Sequence, residues 1–223
     1  MNFMNLQALQ DPRLLISALM IALCSYLVGS INFAVIFSRI FEHDDVRKHG
    51  SGNAGMTNML RVYGKIPAAC TAVFDFSKGI LCGVLARLFF DKVLHVSPDV
   101  FDPVYFGLFP ALLGHLYPIF FGFKGGKGVL TAFGSVLLLH PAIFAILFAI
   151  YVPMAFITKI VSLASILGML SYPVLEFISI AISGSHNYTD AIMGIVLITL
   201  PVIAHHENIK RLLNGTERKF GKN

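Results

Sequence analysis

Four stretches of this chain stay apolar for about the 20 residues that a helix needs to cross a bilayer. They are Leu14–Ser38, Ile66–Phe90, Val104–Phe121 and Ile160–Ile182, and a fifth, Ala191–Ala204, is shorter. In hydrocarbon, backbone N–H and C=O groups must find partners within the protein, so runs of this length confine the chain to spanning helices. The balance of side chains agrees. Charged residues are 13% of 223, against about 25% in soluble domains, and mean hydropathy is +0.75.

Residues 129–158 are too long for one straight span and short for two. His140-Pro141 lies within them, where proline favours a break. Basic residues collect on the cytoplasmic side of a membrane protein. If residues 129–158 cross twice, Arg39, Arg47, Lys48, Arg61 and Lys65 share a side with Lys124, Lys127, Lys159, Lys210, Arg211, Arg218, Lys219 and Lys222. Of the 17 basic residues, only Arg13, Lys78, Arg87 and Lys92 are then left elsewhere. The expected fold is an all-α integral membrane protein of seven transmembrane helices, some short or broken. Its N-terminus is outside, its C-terminus is cytoplasmic, and residues 1–223 form a single polytopic domain. The first thirteen residues hold Asp11 and Arg13 without a basic leader, and Leu14 onward is too long for a cleaved apolar region, so a retained first span is expected. Cys24, Cys70 and Cys82 are odd in number and sit in or beside apolar runs, which reads as buried free thiols.

Nearly all the chemistry falls on the inner side. Gly50-Ser51-Gly52-Asn53-Ala54-Gly55-Met56-Thr57-Asn58-Met59-Leu60-Arg61 lets the chain turn tightly and bring amides near a ligand. Ser51, Asn53, Thr57 and Asn58 supply short hydrogen-bonding groups, and Arg61 has the fork that matches phosphate oxygens. A solvated, helix-capping loop is the plainer alternative. A second loop on the same face weighs against it: Lys124-Gly125-Gly126-Lys127-Gly128 has glycine amides, two cations and a following helix start, all favourable to anions. It lacks the Gly-Lys-Ser/Thr spacing of a Walker A loop, so nucleotide hydrolysis is unsupported.

Ser162 and Ser165 share a helical face. Such serines usually bond back to a carbonyl in membrane helices. His205 and Asn208 are also three apart, at the inner end of the last span. His115 reads as a structural histidine and Asp75 with Lys78 as a structural pair, since charges at that depth must be paired or face a cavity. His43-Asp44-Asp45 with His49 reads as a charged loop, because no metal-ligand spacing fits.

At these residues the chain resembles the bacterial acyl-phosphate-dependent glycerol-3-phosphate acyltransferases, which make lysophosphatidic acid. The first cluster is similar to that family's Gly-Ser-Gly-Asn-x-Gly-x-Thr-Asn-x-x-Arg motif. Asp75–Gly79, Gly114–Pro118 running into Gly122–Gly128, Val161–Ser165 and His205–Asn208 follow in family order. Asn32, Ile160 and Ala204 depart from it, standing where the family often has proline, an aromatic and arginine.

The resemblance implies acyl transfer from acyl phosphate to the primary hydroxyl of glycerol 3-phosphate at the cytoplasmic face of the bacterial inner membrane. No cofactor, metal or nucleic acid is implied. Membrane lipid and a soluble acyl-phosphate synthase at that face are the implied partners. Ser51, Arg61, His205 and Asn208 are the expected catalytic residues, with Asn208 orienting His205. Gly52, Asn53, Gly55, Asn58, Lys124, Gly125, Gly126, Lys127, Gly128 and Ser165 are the expected substrate-binding residues, the glycine amides of the second loop holding one phosphate with Lys127. Two rivals stand beside this reading. A small-anion transporter needs polar groups reachable from both faces. A lipid-binding scaffold needs the basic face but not the glycines.

Overall fold

The computed structural model describes residues 12–94, 102–184 and 188–220. Asp11 and Lys222, named in the sequence reading, lie outside the described residues. Among the described residues, ten α-helices follow in order: α1 Pro12–Gly29, α2 Phe33–Glu42, α3 Met56–Tyr63, α4 Lys65–Phe89, α5 Val104–Leu116, α6 Val129–Leu139, α7 Pro141–Thr158, α8 Val161–Ser183, α9 Thr189–Ala204 and α10 His206–Leu213. Five stretches among the described residues are long and apolar enough to cross a membrane: Leu15–Glu42, Lys65–Lys92, Val104–Phe121, Pro141–Thr158 and Val161–Ser183. The α9–α10 pair, bent by 66°, is long and apolar enough only when taken together, as a broken span or a re-entrant turn. The shorter α6 is also apolar, so the ambiguous region does divide at His140-Pro141, with Pro141 at the first position of α7.

The bundle has two halves. In one, α4 packs against α2, α3, α5 and α6, and α1 lies along α5. In the other, α8 packs against α7 and α9. The contact of α4 with α6 depends on small residues. A Cβ on Gly79 would strike the Thr131 carbonyl, and one on Gly134 the Phe76 carbonyl. Such close backbone approach drives helix association in lipid, where burial of apolar surface gives no advantage over the tails. Thr131 and Ser135 hydroxyls then donate to the Asp75 and Gly79 carbonyls, fixing the register. Between the halves, Phe133 of α6 meets Phe144 and Tyr151 of α7 in a cluster with Leu147, Met169, Tyr172 and Ile198.

Where α1 breaks from α2, Lys78 Nζ donates to the Gly29 and Ile31 carbonyls at 3.2 and 3.1 Å. It also sits 2.9 Å from Asp75 Oδ1 and 2.8 Å from His115 Nδ1. The buried pair therefore ties α1, α4 and α5 together. Asn32, where the resemblance led one to expect proline, caps α2 by accepting from the Val35 N–H at 3.0 Å. The reading of three buried thiols is corrected: Cys82 is buried, Cys70 is half-buried and Cys24 is exposed. Cys24 lies on the outer surface of α1, among leucines and methionine that face the lipid.

Candidate active site

The Gly50 and Lys127 loops and the neighbouring helix ends meet around one open pocket of roughly 860 Å³, mouth included. Its first wall comes from residues before α7. Asn58, buried at the start of α3, organises the Gly50 loop: its Nδ2 donates to the Val46 and His49 carbonyls, and its Oδ1 accepts from the Ser51 N–H. That fixes Ser51, Asn53 and Gly55 at the rim and turns Arg61, one helical turn on, inward. Lys127, Gly128, Val129 and Leu130 form the adjoining edge. Gly128 caps α6 and Val129 and Leu130 begin it, and the first N–H groups of a helix have no acceptor within it. They are a fixed source of partial positive charge at the cavity.

The second wall comes from α7 onward: Tyr151, Val161, Ser162, Ser165, His205 and Asn208. Asn208 Oδ1 accepts from Lys127 Nζ across the cavity. Its Nδ2 donates to Glu217 at 2.7 Å. Sequence reasoning did not offer Glu217 as a site residue, nor Tyr151, Arg211 and Arg218, which line the same pocket. Glu217 lies on the segment after α10, which folds back over the pocket. Ser162 donates to it at 3.0 Å and Arg211 at 2.8 Å. Arg218 donates to the Gly50 carbonyl at 2.7 Å, and the Phe220 N–H to the Lys159 carbonyl at 2.9 Å. This strap joins the two walls and adds Glu217 and Arg218 to the lining, beside Arg211 of α10.

Four cations, Arg61, Lys127, Arg211 and Arg218, thus line the pocket with two carboxylates, Glu217 and Asp75, the second of which is paired to Lys78. Burial lowers Lys127 to about 8, with Glu217 opposing and Arg211 and Arg61 adding to the fall. Burial also lowers Arg61, helped by Arg218. Burial pushes Glu217 up, yet the hydrogen bonds from Asn208, Arg211 and Ser162 bring it below the usual carboxylate value. The pocket therefore has a cationic excess held at high local free energy, which an incoming dianion relieves.

His205 is buried at the α9–α10 bend. Its Nδ1 lies 2.7 Å from the Pro201 carbonyl. A carbonyl only accepts, so Nδ1 carries the hydrogen and Nε2 is left as an acceptor. The expectation that Asn208 orients His205 is corrected: Pro201 does so, and Asn208 is committed to Lys127 and Glu217.

Of the expected residues, Ser51, Asn53, Gly55, Asn58, Arg61, Lys127, Gly128, Ser165, His205 and Asn208 line the pocket; Gly52, Lys124, Gly125 and Gly126 do not. The Gly125 and Gly126 amides donate to the Leu116 and His115 carbonyls at 3.1 Å each, so they are not free to hold a phosphate. They instead seal the end of α5, whose last carbonyls have no partner within the helix. Ser165 donates to the Val161 carbonyl, the intrahelical bond expected of a membrane serine. Arg47, read only as a topology marker, links the two loops by donating to the Phe121 and Lys124 carbonyls at 2.6 and 3.1 Å. Asp45 grips its guanidinium at 2.7 Å, while Asp44 is taken by His49 and Tyr63.

A bundle of helices apolar enough to cross a membrane, with a cation-rich pocket and a histidine acceptor at one end, is a polytopic membrane protein whose site suits an anion. Residues 19–215 match the sequence profile of the glycerol-3-phosphate acyltransferase family. The chain is 41% identical over 198 residues to a glycerol-3-phosphate acyltransferase of Neisseria meningitidis serogroup C, covering 88% of this chain and 94% of that one. With the enzyme of the same description from Syntrophomonas wolfei it shares 38% over 203 residues, covering 91% and 96%. Its fold is similar to that of PlsY (YgiH), an integral membrane glycerol 3-phosphate acyltransferase, in the glycerol 3-phosphate form. The TM-score is 0.79 at 35% identity, over 92% of this chain and 96% of that one. The lysophosphatidic acid form of PlsY gives 0.76 at 34%. The chain belongs to the glycerol-3-phosphate acyltransferase family and is an acyltransferase.

Proposed function

We propose that this protein transfers a fatty acyl group from acyl phosphate to the sn-1 hydroxyl of glycerol 3-phosphate, giving lysophosphatidic acid and inorganic phosphate. The observation that carries this reading is the convergence of Arg61, Lys127, Arg211 and the α6 N-terminus on one cavity at the end of a lipid-exposed bundle. Both substrates bear a phosphate, and one of them also bears an alkyl chain that belongs in the bilayer.

Lys127 and the α6 N-terminus hold one phosphate; Ser51 and Arg61 hold the second. The sn-1 oxygen attacks the acyl carbon, the carbon–oxygen bond to phosphate breaks, and the electron pair leaves on phosphate. His205 Nε2 takes the hydroxyl proton. The donor is already an activated anhydride, so an acyl-serine intermediate is not required. Cations fixed where charge gathers on the leaving phosphate contribute about 3–4 kcal/mol per well-placed donor.

The topology that suits this chemistry has seven crossings, with α6 the short fourth. The N-terminus is outside, the C-terminus and pocket are cytoplasmic, and residues 1–223 act as one domain in the bacterial inner membrane. A soluble acyl-phosphate synthase at that face would supply the donor, which hydrolyses readily in water. The test is purified protein in detergent with acyl phosphate and glycerol 3-phosphate. Free phosphate and lysophosphatidic acid are expected in equal amounts. Uptake of labelled glycerol phosphate into proteoliposomes without acylation would replace this reading with a transporter.

A further inference from the structure

At the end of the bundle away from the pocket lies a second polar network that acyl transfer does not use. The helices run from it to the pocket: Tyr105 heads α5, His140 ends α6, Asp190 heads α9, and Glu176 lies about 22 Å along α8 from Val161 at 1.5 Å per residue. His140 Nε2 meets Glu176 Oε1 at 2.9 Å. The Tyr105 hydroxyl lies 3.1 Å from that of Tyr172, 3.4 Å from Glu176 Oε1 and 3.1 Å from the Asp190 carbonyl. The Asp102 N–H donates to Asp190 Oδ1 at 3.1 Å, and Arg87 pairs with Asp102 at 2.6 Å. Glu176 and Tyr105 are almost wholly buried, 1% exposed each.

This network spans the divide between the two halves. Tyr105 and His140 belong to the first half and its turn, and Tyr172, Glu176 and Asp190 to the second. The pocket is divided in the same way. Arg61, Lys127 and Gly128 stand on one wall, and Ser162, His205, Asn208 and Glu217 on the other. We propose that Glu176 and His140 are positioning residues, whose ion pair sets the angle between the halves and thereby the spacing of the two pocket walls. A tilt of about 5° acting over ~22 Å moves one wall by roughly 2 Å. A misplacement of about 1 Å can cost on the order of a hundredfold in rate.

The groups facing His140 are Glu176 and Tyr172 on α8, Asp190 on α9, and Asp102 and Tyr105 at the head of α5, with Arg87 of α4 reaching Asp102. The hydrogen bond with Glu176 holds His140 above the ordinary histidine value. A raised histidine contributes while protonated, and its contribution is lost as pH rises through the raised value.

The experiment uses the full chain in sealed vesicles, with the pocket side buffered near pH 7. Wild-type turnover should fall about threefold as the opposite face is taken from about pH 6 to about pH 9, the range that histidine crosses. Glu176→Gln and His140→Gln should be slower and flat across that range. Only these kinetic readouts rest on the acyltransfer reading. Amide hydrogen exchange does not: both variants should exchange faster at residues 214–220, far from the substitutions, whether or not the protein turns over. If Glu176→Gln does not fold, Tyr105→Phe removes one hydroxyl and should show the same distant effect. Wild-type turnover indifferent to the opposite face, or faster exchange confined to the helix ends around Glu176 and Asp190, would overturn the proposal.

Discussion

Lys127 donates to the side-chain carbonyl of Asn208, 81 positions further along the chain, and so joins the two walls of the pocket. The same asparagine donates to Glu217 with its amide, which leaves its orientation no freedom. The lysine is thus held at the mouth of α6 by a partner that is itself held.

Removing either anchor cation should abolish most turnover without unfolding the protein. Lys127→Ala and Arg61→Ala are each expected to lower kcat/KM for glycerol 3-phosphate by about 10²–10³, the cost of losing one fixed donor to developing charge. The measurement is phosphate release by purified variants whose melting behaviour matches wild type. Near-normal activity in either would remove that residue from the reacting centre.

Much of this arrangement is legible in the sequence, for a physical reason. Spans are read from run length because the bilayer sets a length, and the α6–α7 break from His140-Pro141, since proline suits the first position of a helix. Pro110, Pro153, Pro173 and Pro201 lie within helices, so a proline alone does not mark a break. Arg61, Lys127 and His205 stand out because charge and histidine are costly beside apolar runs. Gly125 and Gly126 were misread because an anion-binding turn and a helix-sealing turn look alike locally. Only the end of α5, whose carbonyls needed donors, decides between them. Glu217 was invisible for a related reason. Nothing local to Gly215-Thr216-Glu217-Arg218 says that the segment returns to Ser162 and Gly50.

The charge on Lys127 gives a pH dependence of definite sign. Burial holds it at about 8, so it is a cation below that pH and neutral above. Affinity for glycerol 3-phosphate should therefore weaken as pH rises through about 8, approaching tenfold per unit for one coupled proton. Glu217 opposes the fall in Lys127, so Glu217→Gln should shift the loss of affinity to lower pH. KM measured against pH for both proteins checks this. An unshifted midpoint in the variant would show that Glu217 does not act on Lys127.

His205 offers a test of its two nitrogens separately. Asparagine at this position can reproduce the Nδ1–H bond to Pro201 but has nothing in place of Nε2. His205→Asn should keep KM for glycerol 3-phosphate within about twofold and lower kcat by about 10²–10⁴, the usual contribution of a positioned base. A change in KM with kcat preserved would make His205 a binding residue instead.

Gly126 separates the enzyme from a basic scaffold. A Cβ here would enter the His115 ring and the Ala54 carbonyl, so Gly126→Ala must push the loop away from α5. Lys127 is the next residue and would be carried with it, loosening its bond to Asn208. Overpacking of this kind costs about 1–3 kcal/mol. The expected result is a KM for glycerol 3-phosphate raised about tenfold, the equivalent of 1.4 kcal/mol, with binding to anionic vesicles unchanged. That binding depends on the number of exposed cations, which the substitution leaves as it was. Unchanged KM together with unchanged vesicle binding would mean that the loop does not set the position of Lys127.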